Sequence, residues 1–153
     1  MTSDKLSDDE RTTAFGLFNF AESYWNAAAA LRKVTVNSSH AESPVYLLYF
    51  HAVELYLKSF LRMHGHSPTE LQKKFGHQIK RIKNRAKKLG LTFNGEDEES
   101  ILLMHKTDAI IRSRYLQTGF VTWPTLTSME KMCRRLRQQI GAELKKADIP
   151  VRL

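Results

Sequence analysis

A nearly apolar helical segment that begins near Tyr46 and carries one narrow polar stripe constrains the fold of this chain most. At about 100° per residue, its four ionisable side chains fall within a sector of ~80°, and Leu, Tyr, Val, Phe and Ala occupy the remaining surface. A helix that is apolar on most sides must be packed on most sides, so we expect it at the centre of an all-α fold. The stripe consists of His51, Glu54, Lys58 and Arg62.

Ionisable groups on a buried helix cost free energy unless they are paired or exposed, so this stripe marks the candidate site. Glu54 and Lys58 have the i,i+4 spacing and the order that favour an ion pair. Structural pairing and a role in a site are both open for these two residues. For His51 and Arg62, the stripe also fits an ordinary solvated surface between neighbouring helices.

Capping boxes, prolines and glycines divide the rest of the chain into further helices. We predict an up-down bundle of four long helices and one or two short ones, in a single domain with its core at about 7–147 and a loose tail at 148–153. The segment from Thr118 to Leu126 is predicted to be an extended connection. The predicted helices run from Ser7 to the break at Asn37-Ser38-Ser39-His40, from Ser43-Pro44 to Gly65, from Ser67-Pro68 to Phe75, from Gln78 to Leu89, from Glu96 to about Tyr115, and from a capping box at Thr127 and Glu130 to about Ala147.

Composition narrows the class of protein. A net charge of +8 over 153 residues favours an anionic partner such as nucleic acid, a nucleotide, an acidic protein or a membrane surface. The single cysteine, Cys133, excludes an internal disulfide and a cysteine-based zinc cluster within one chain. No apolar run approaches the ~20 residues of a membrane span, and the polar N-terminus is no secretory signal. We therefore expect a cytoplasmic protein without a membrane partner.

The predicted helix from Gln78 to Leu89 follows the apolar helix and carries basic residues without an acid. Its apolar seam should face inward and turn most of the positive charges outward. This seam consists of Ile79, Ile82, Ala86 and Leu89. A charged helix face is usually only solvated, but a strip without acids also fits nucleotide or nucleic-acid contact. The predicted basic patch is Lys80, Arg81, Lys83, Arg85, Lys87 and Lys88.

A second polar line precedes the predicted extended connection. His105, Asp108, Arg112 and Tyr115 are spaced by three or four residues and share a helix face. The line fits either a surface ion pair between Asp108 and Arg112 or a cationic cleft that faces the stripe of the central helix. His64 and His66 lack a third ligand nearby in the sequence, so we predict no metal site and no cofactor.

Four of these pieces, in this order, resemble the HEPN superfamily of helical domains over roughly residues 21–144. The resemblance is carried by the Ala-x-Glu-x-x-x-Lys pattern of Ala52 to Lys58, the His-Asp-Leu-like helix start at Gly76-His77-Gln78-Ile79, the turn at Lys88-Leu89-Gly90-Leu91, and Arg112-Ser113-Arg114-Tyr115. It implies a bundle of four or five helices, frequent dimerisation, and roles in RNA cleavage, nucleotide binding, or toxin–antitoxin and defence systems.

The chain departs from the family at one decisive point. HEPN ribonucleases use an Arg-x4-6-His motif, whereas no histidine of this chain follows Arg112 or Arg114. We therefore expect a non-catalytic module that binds nucleotide or RNA, acts as a homodimer, and uses the site Glu54, Lys58, His77, Arg112, Arg114 and Tyr115.

Two alternatives remain open. The first is a metal-independent endoribonuclease of the toxin or defence type, with a variant site in which His77 or His105 acts as acid or base. The second is a protein-interaction module that partners a nucleotidyltransferase or an antitoxin. In this case the apolar stripes of the first and last helices should form a dimer or partner interface.

Overall fold

The computed structural model describes residues 8–112, 121–149 and 151, apart from the side chains of residues 8, 9, 109, 111 and 112. Throughout this part of the chain the secondary structure is helical and contains no strand, which confirms the all-α class. The helices are α1 (Asp8–Arg11), α2 (Ala14–Arg32), α3 (Ser43–Met63), α4 (Pro68–Glu70), α5 (Ile79–Lys88), α6 (Gly95–Arg112) and α7 (Leu126–Lys146), and a π-helical segment (Leu71–Phe75) follows α4 directly.

The central position of α3 follows from its composition. It contacts α2, α5, α6, α7 and the π-helical segment, and its apolar side chains from Val45 to Leu61 are buried on nearly every side. Pro44 lies in its first turn, and Gly65, at φ +93°, ends it, so that the His66 N–H donates to the Leu61 carbonyl at 3.1 Å. The predicted central helix and its end signals are confirmed.

The first predicted helix is wrong in its N-terminal turn, because the structure divides it into α1 and α2. Thr13 is the N-cap of α2, and its hydroxyl accepts from the Gly16 N–H at 2.9 Å. The preceding Thr12 carbonyl accepts from Arg62 Nε at 3.0 Å instead of continuing the helix. A capping residue inside an apparent helix therefore starts a new one. Ser7 lies outside the described residues.

The predicted capping box of the last helix is also wrong. Thr125, not Thr127, caps α7, and its hydroxyl accepts from the Ser128 N–H at 3.0 Å. The carboxylate of Glu130 instead accepts from Trp25 Nε1 at 2.7 Å and from the Tyr49 hydroxyl at 2.8 Å. Tertiary partners on α2 and α3 thus take the side chain that the local pattern assigned to a cap.

The structure describes most of the predicted connection before α7 and part of the predicted tail. Residues 121–125 are non-helical, as predicted for the connection before α7, and residues 118–120 lie outside the described residues. The tail is not loose where it is described, since Val151 is buried and Ile149 packs against the core. The positive φ of Asp148 turns the chain back, and the Ile149 N–H donates to the Leu144 carbonyl at 3.0 Å.

Polar side chains cross the core between α2, α3 and α7. Glu22 on α2 accepts from the hydroxyl of the fully buried Tyr56 on α3 and from Arg137 Nε on α7 at 2.8 Å. Burial, followed by this hydrogen bond, raises the pKa of the Tyr56 hydroxyl far above its ordinary range, so the hydroxyl remains a donor. These contacts fix the register of α2, α3 and α7.

Candidate functional site

The structure brings together three of the predicted site residues: Glu54, Lys58 and His77. Glu54 on α3 is only 4% exposed, and its Oε1 lies 2.8 Å from His77 Nδ1 and 3.8 Å from Lys58 Nζ. A carboxylate can only accept here, so His77 donates through Nδ1 and, when neutral, carries its lone pair on Nε2. The His77 side chain is 58% exposed, so this ring is held on one side and accessible on the other.

A specific backbone conformation places His77 over α3. The π-helical segment ends when the Gly76 N–H donates to the Leu71 carbonyl at 2.9 Å. Gly76 then adopts φ +53° and ψ −125°, a region that side chains with a Cβ rarely enter. The sequence pattern Gly-His is thus a turn that aims an imidazole at a buried carboxylate.

A small cavity of about 290 Å³ adjoins these side chains. Lys58 and His77 lie on its wall together with Thr12 and Gln72. The rest of the lining is mostly apolar and consists of Leu17, Leu55, Pro68, Leu71 and Gly76. The cavity therefore combines hydrogen-bonding groups with apolar walls, as small-molecule sites do.

The remaining residues of the predicted cleft cannot be placed against this cluster. Arg114 and Tyr115 lie outside the described residues, and Arg112 is described only as the last residue of α6, without its side chain. His51, which belongs to the same stripe, stacks on Tyr24 with ring centroids 5.1 Å apart. His51 therefore makes a different contact from Glu54 and Lys58, which form the part of the stripe that lies next to His77.

A basic groove of about 860 Å³ lies between the π-helical segment, α5 and α6. None of the described residues that line it is acidic. Like charges gathered in one groove repel one another and create a positive potential that attracts anions. The ionisable residues that line this basic groove are Lys74, Lys80, Arg81, Arg85, Lys88 and His105.

Two members of the predicted basic patch do not belong to this groove. Lys83 and Lys87 each place Nζ 2.7 Å from a carboxylate oxygen of Glu98 on α6. These contacts lower the pKa of Glu98, with the hydrogen bond from Lys83 as the largest cause. The sequence shows no acid within the strip, but packing brings one from the next helix, so the patch is smaller than predicted.

The arginines of α7 do not extend the patch either. Arg135 forms an ion pair with Asp97, with Nε 3.1 Å from both carboxylate oxygens, and Arg137 binds Glu22 as described above. Arg134 Nη2 lies 3.7 Å from Glu130 Oε1. Each is therefore occupied by a carboxylate of the same chain.

Sequence reasoning missed His66 and Glu70 as neighbours of the groove. Arg85 Nε donates to His66 Nε2 at 3.0 Å, and His66 Nδ1 donates to Glu70 Oε2 at 3.0 Å. That bond, the largest cause, and the Ser67 backbone lower the pKa of Glu70. The capping box of Ser67 and Glu70 is a local signal that fixes Glu70, but nothing local connects it to Arg85.

The other candidate chemistries have little structural support. Cys133 is fully buried, and burial raises the pKa of its thiol well above the ordinary value, so it is an inert core residue. Among the described residues, no group of three or more His, Cys, Asp or Glu side chains is arranged to hold a metal ion. In the same part of the chain, every helix is too short or too polar to cross a bilayer.

Comparison with known proteins adds no relative, since the chain matches no family profile, no curated protein and no solved structure. The site must therefore be interpreted from its own geometry. The described part of the chain is all-helical and carries two features: a basic groove, and a buried Glu54 carboxylate that holds the exposed His77 ring.

Proposed function

We propose that this protein is a HEPN-like helical domain that binds the phosphates of RNA or of a nucleotide in its basic groove. The observation that carries the proposal is the groove itself: five cationic side chains and His105 line it, and none of the described lining residues is acidic. Elsewhere on the described surface, carboxylates pair with Lys83, Lys87, Arg135 and Arg137. The groove therefore gathers five cations that no carboxylate among its described lining residues neutralises.

Electrostatic binding of this kind has a measurable signature. A protein that neutralises phosphates releases counterions, so its affinity falls as salt rises, with a slope of about −0.7 per contacted phosphate of a single strand. Fluorescence anisotropy with a labelled single-stranded RNA, and competition by ADP or ATP, should show this dependence across a salt series.

The charge-matched test compares two triple variants. Lys74→Ala, Lys80→Ala and Lys88→Ala together remove three lysines of the groove, none of which forms an ion pair within the described residues. Lys131→Ala, Lys145→Ala and Lys146→Ala remove three exposed lysines of α7. We expect the groove variant to lose up to about 2 units of salt slope, since each lost phosphate contact removes ~0.7, and the α7 variant to lose little. Equal losses in both variants would mean that net charge, and not the groove, determines binding.

A second candidate function, metal-independent RNA cleavage, is favoured by the contact between Glu54 and His77. A carboxylate that holds Nδ1–H leaves Nε2 available as a general base and stabilises the imidazolium that forms. In this reaction Nε2 takes the proton of a 2′-hydroxyl, the 2′-oxygen bonds to phosphorus, and the bond to the 5′-oxygen breaks. The leaving oxygen takes a proton from water, and the imidazolium returns its proton to the hydroxide that remains, which gives a 2′,3′-cyclic phosphate, a 5′-hydroxyl end and a neutral histidine.

Cleavage is tested with labelled RNA in the presence of EDTA. His77→Gln and Glu54→Gln should abolish cyclic-phosphate product. His64→Gln should not, because this exposed histidine lines a different cavity from the groove and from the one beside His77. His105→Gln tests the histidine that lines the groove. If wild type yields no product, or if all three histidine variants cleave equally, the binding function stands without catalysis.

We also propose that the protein acts as a dimer, but not through the stripes that the sequence suggested. The apolar stripes of α2 and α7 are buried in the chain's own core, including Phe18, Ala28, Met132 and Ile140. The outer side of α2 instead exposes Phe20, at 63%, and Val34 lies exposed just beyond its end. Multi-angle light scattering of wild type and Phe20→Ser should show a dimer that the substitution weakens, and a wild-type monomer at all concentrations would contradict it.

A further inference from the structure

We propose that Arg81 and Arg85 form a preset site for two neighbouring phosphates, and that His66 positions Arg85 within it. The proposal deepens the proposed function and depends on it, because it requires an anion in the basic groove. In this proposal Arg81 and Arg85 contact the phosphates directly, whereas the lysines of the groove contribute only non-directional electrostatic attraction.

His66 holds the guanidinium of Arg85 in place through its Nε. An arginine side chain always donates, so His66 Nε2, which accepts from Arg85 Nε at 3.0 Å, must carry its lone pair. The opposite nitrogen, Nδ1, therefore carries the proton and donates to Glu70 Oε2. His66 is buried and lies edge-on against Phe75, with ring centroids 5.3 Å apart, so the ring cannot easily turn away.

The terminal nitrogens of the Arg85 guanidinium remain available to bind a phosphate. Arg85 lines the basic groove, and its terminal nitrogens Nη1 and Nη2 make no hydrogen bond to any other described residue. These two nitrogens form the planar fork that grips two oxygens of one phosphate. Anchoring through Nε thus leaves the phosphate-binding end of the side chain directed at the groove.

A second arginine, Arg81, lies one helical turn before Arg85 on the same face of α5. Arg81 also lines the groove, and its Nη1 donates to the Lys74 carbonyl at 2.8 Å. Side chains at i and i+4 are neighbours on a helix, with Cβ atoms ~5–6 Å apart. Two anchored guanidiniums at that spacing suit two phosphates that are joined directly or lie next to each other.

Anchoring is what separates these arginines from the lysines of the groove. Ordering a long side chain on binding costs conformational entropy, and a side chain that is already ordered avoids most of that cost. Within the described residues, Lys80 and Lys88 have no such anchor. These lysines contribute electrostatic attraction, whereas the two arginines also fix the position of the bound phosphates.

The chemistry that fits is a pair of adjacent phosphates, which a nucleoside diphosphate and a single RNA strand both supply. The experiment therefore measures binding of pyrophosphate, orthophosphate, ADP and a short single-stranded RNA by calorimetry. Pyrophosphate is expected to bind at least about tenfold more tightly than orthophosphate, as a second charge-assisted contact predicts. Stronger competition by ADP than by RNA identifies the free diphosphate as the source, and the reverse identifies the strand.

The positioning role is tested by rescue. His66→Leu removes the acceptor of Arg85 and should weaken pyrophosphate binding about as much as Arg85→Ala, whereas His66→Gln keeps an acceptor oxygen and should restore most of it. Adding His66→Leu to Arg85→Ala should cause no further loss, because one contact is lost in both. Circular dichroism and thermal melting check that each variant folds.

A readout on the wild-type protein keeps the test valid if His66→Leu does not fold. The Nε–H signal of Arg85 in NMR should be narrow and protected from exchange before any pyrophosphate is added. A signal that is protected only after binding, or equal affinity for orthophosphate and pyrophosphate, overturns the preset site. If neither RNA nor pyrophosphate binds to wild type, the proposed function fails as well. Binding that is weakened by loss of the groove lysines but unchanged in Arg81→Ala, Arg85→Ala and His66→Leu overturns this inference alone.

Discussion

Glu54 Oε1 lies 2.8 Å from His77 Nδ1, although 23 residues separate the two in the chain and one of them is buried while the other is mostly exposed. The contact links the central helix α3 to the turn that precedes α5. It fixes the imidazole and places a carboxylate between two nitrogen donors, His77 and Lys58. The consequences of this contact can be measured independently of any ligand.

Glu54→Ala should destabilise the protein by about 1–3 kcal/mol, because the mostly buried Lys58 and the His77 ring both lose a charged acceptor. Glu54→Gln keeps an acceptor oxygen and should cost less. The ¹⁵N shifts of the His77 ring should report the Nδ1–H tautomer in wild type and a loss of that preference in Glu54→Ala. If the two spectra show the same tautomer distribution, the contact does not hold the ring in solution.

Tyr56→Phe should lower the free energy of unfolding by about 1.5–3 kcal/mol, the usual contribution of a hydrogen bond to a charged group. Its hydroxyl is buried and donates to Glu22, which Arg137 also binds. Tyr24→Phe is the matched control, since Tyr24 stacks on His51 and its hydroxyl makes no hydrogen bond to a described residue. That change should stay within about 0.5 kcal/mol in urea denaturation.

Gly76→Ala should cost about 1–3 kcal/mol, because only glycine adopts φ +53° with ψ −125° without strain. Space is not the reason, since an added Cβ would lie 3.6 Å from the Gln72 carbonyl, an ordinary contact. Gly95→Ala, at the start of α6 with open space around it and no positive φ, should be close to neutral. A comparable loss in both variants would argue against a strained turn at Gly76.

Thr125→Ala should cost about 1 kcal/mol, the typical value of an N-cap. Thr127→Ala removes only an exposed contact with Arg32 Nη2 and should cost less than about 0.5 kcal/mol. Thermal melting of the two variants decides between the cap seen in the structure and the one that the sequence pattern suggested. A larger loss at Thr127 would favour the sequence pattern.

Glu98 should give the protein a component of stability that depends on acid pH. Lys83 and Lys87 lower the pKa of Glu98 in the folded state, so its contribution is fully present above the unfolded pKa of about 4.3 and is lost as pH falls through the folded pKa. The difference in unfolding free energy between wild type and Glu98→Gln should therefore be constant near neutral pH and shrink below pH ~4.3. A difference that does not change between neutral and strongly acidic pH would exclude this coupling.

The helices themselves could largely be predicted because their signals are local. Pro44 and Gly65 bracket α3, the Ser67 and Glu70 capping box starts α4, and the seam of Ile79, Ile82 and Ala86 defines the buried face of α5. Where a local signal had a competitor, prediction failed. Glu130 matched a capping box in sequence, but Trp25 and Tyr49 bind it in the folded protein.

The candidate site could be predicted only in part. The stripe on α3 pointed to Glu54 and Lys58, and the resemblance to HEPN domains added His77, which the structure places against Glu54. The extent of the basic surface could not be predicted, because it depends on which helix supplies a carboxylate. Glu98 pairs with Lys83 and Lys87, but none of the described residues that line the groove supplies a carboxylate to Lys80, Arg81 or Lys88.

The amino-acid sequence by itself determined the all-α class, the central place of α3 and the cationic character of α5. Hydrophobic periodicity, capping residues and a run of basic residues are properties of short segments, so they can be recognised without the fold. Only the tertiary structure decided which charges remain available and which are neutralised, and that His66 holds Arg85. Those contacts join residues that are far apart in the chain, and their geometry exists only once the apolar faces of the helices have packed.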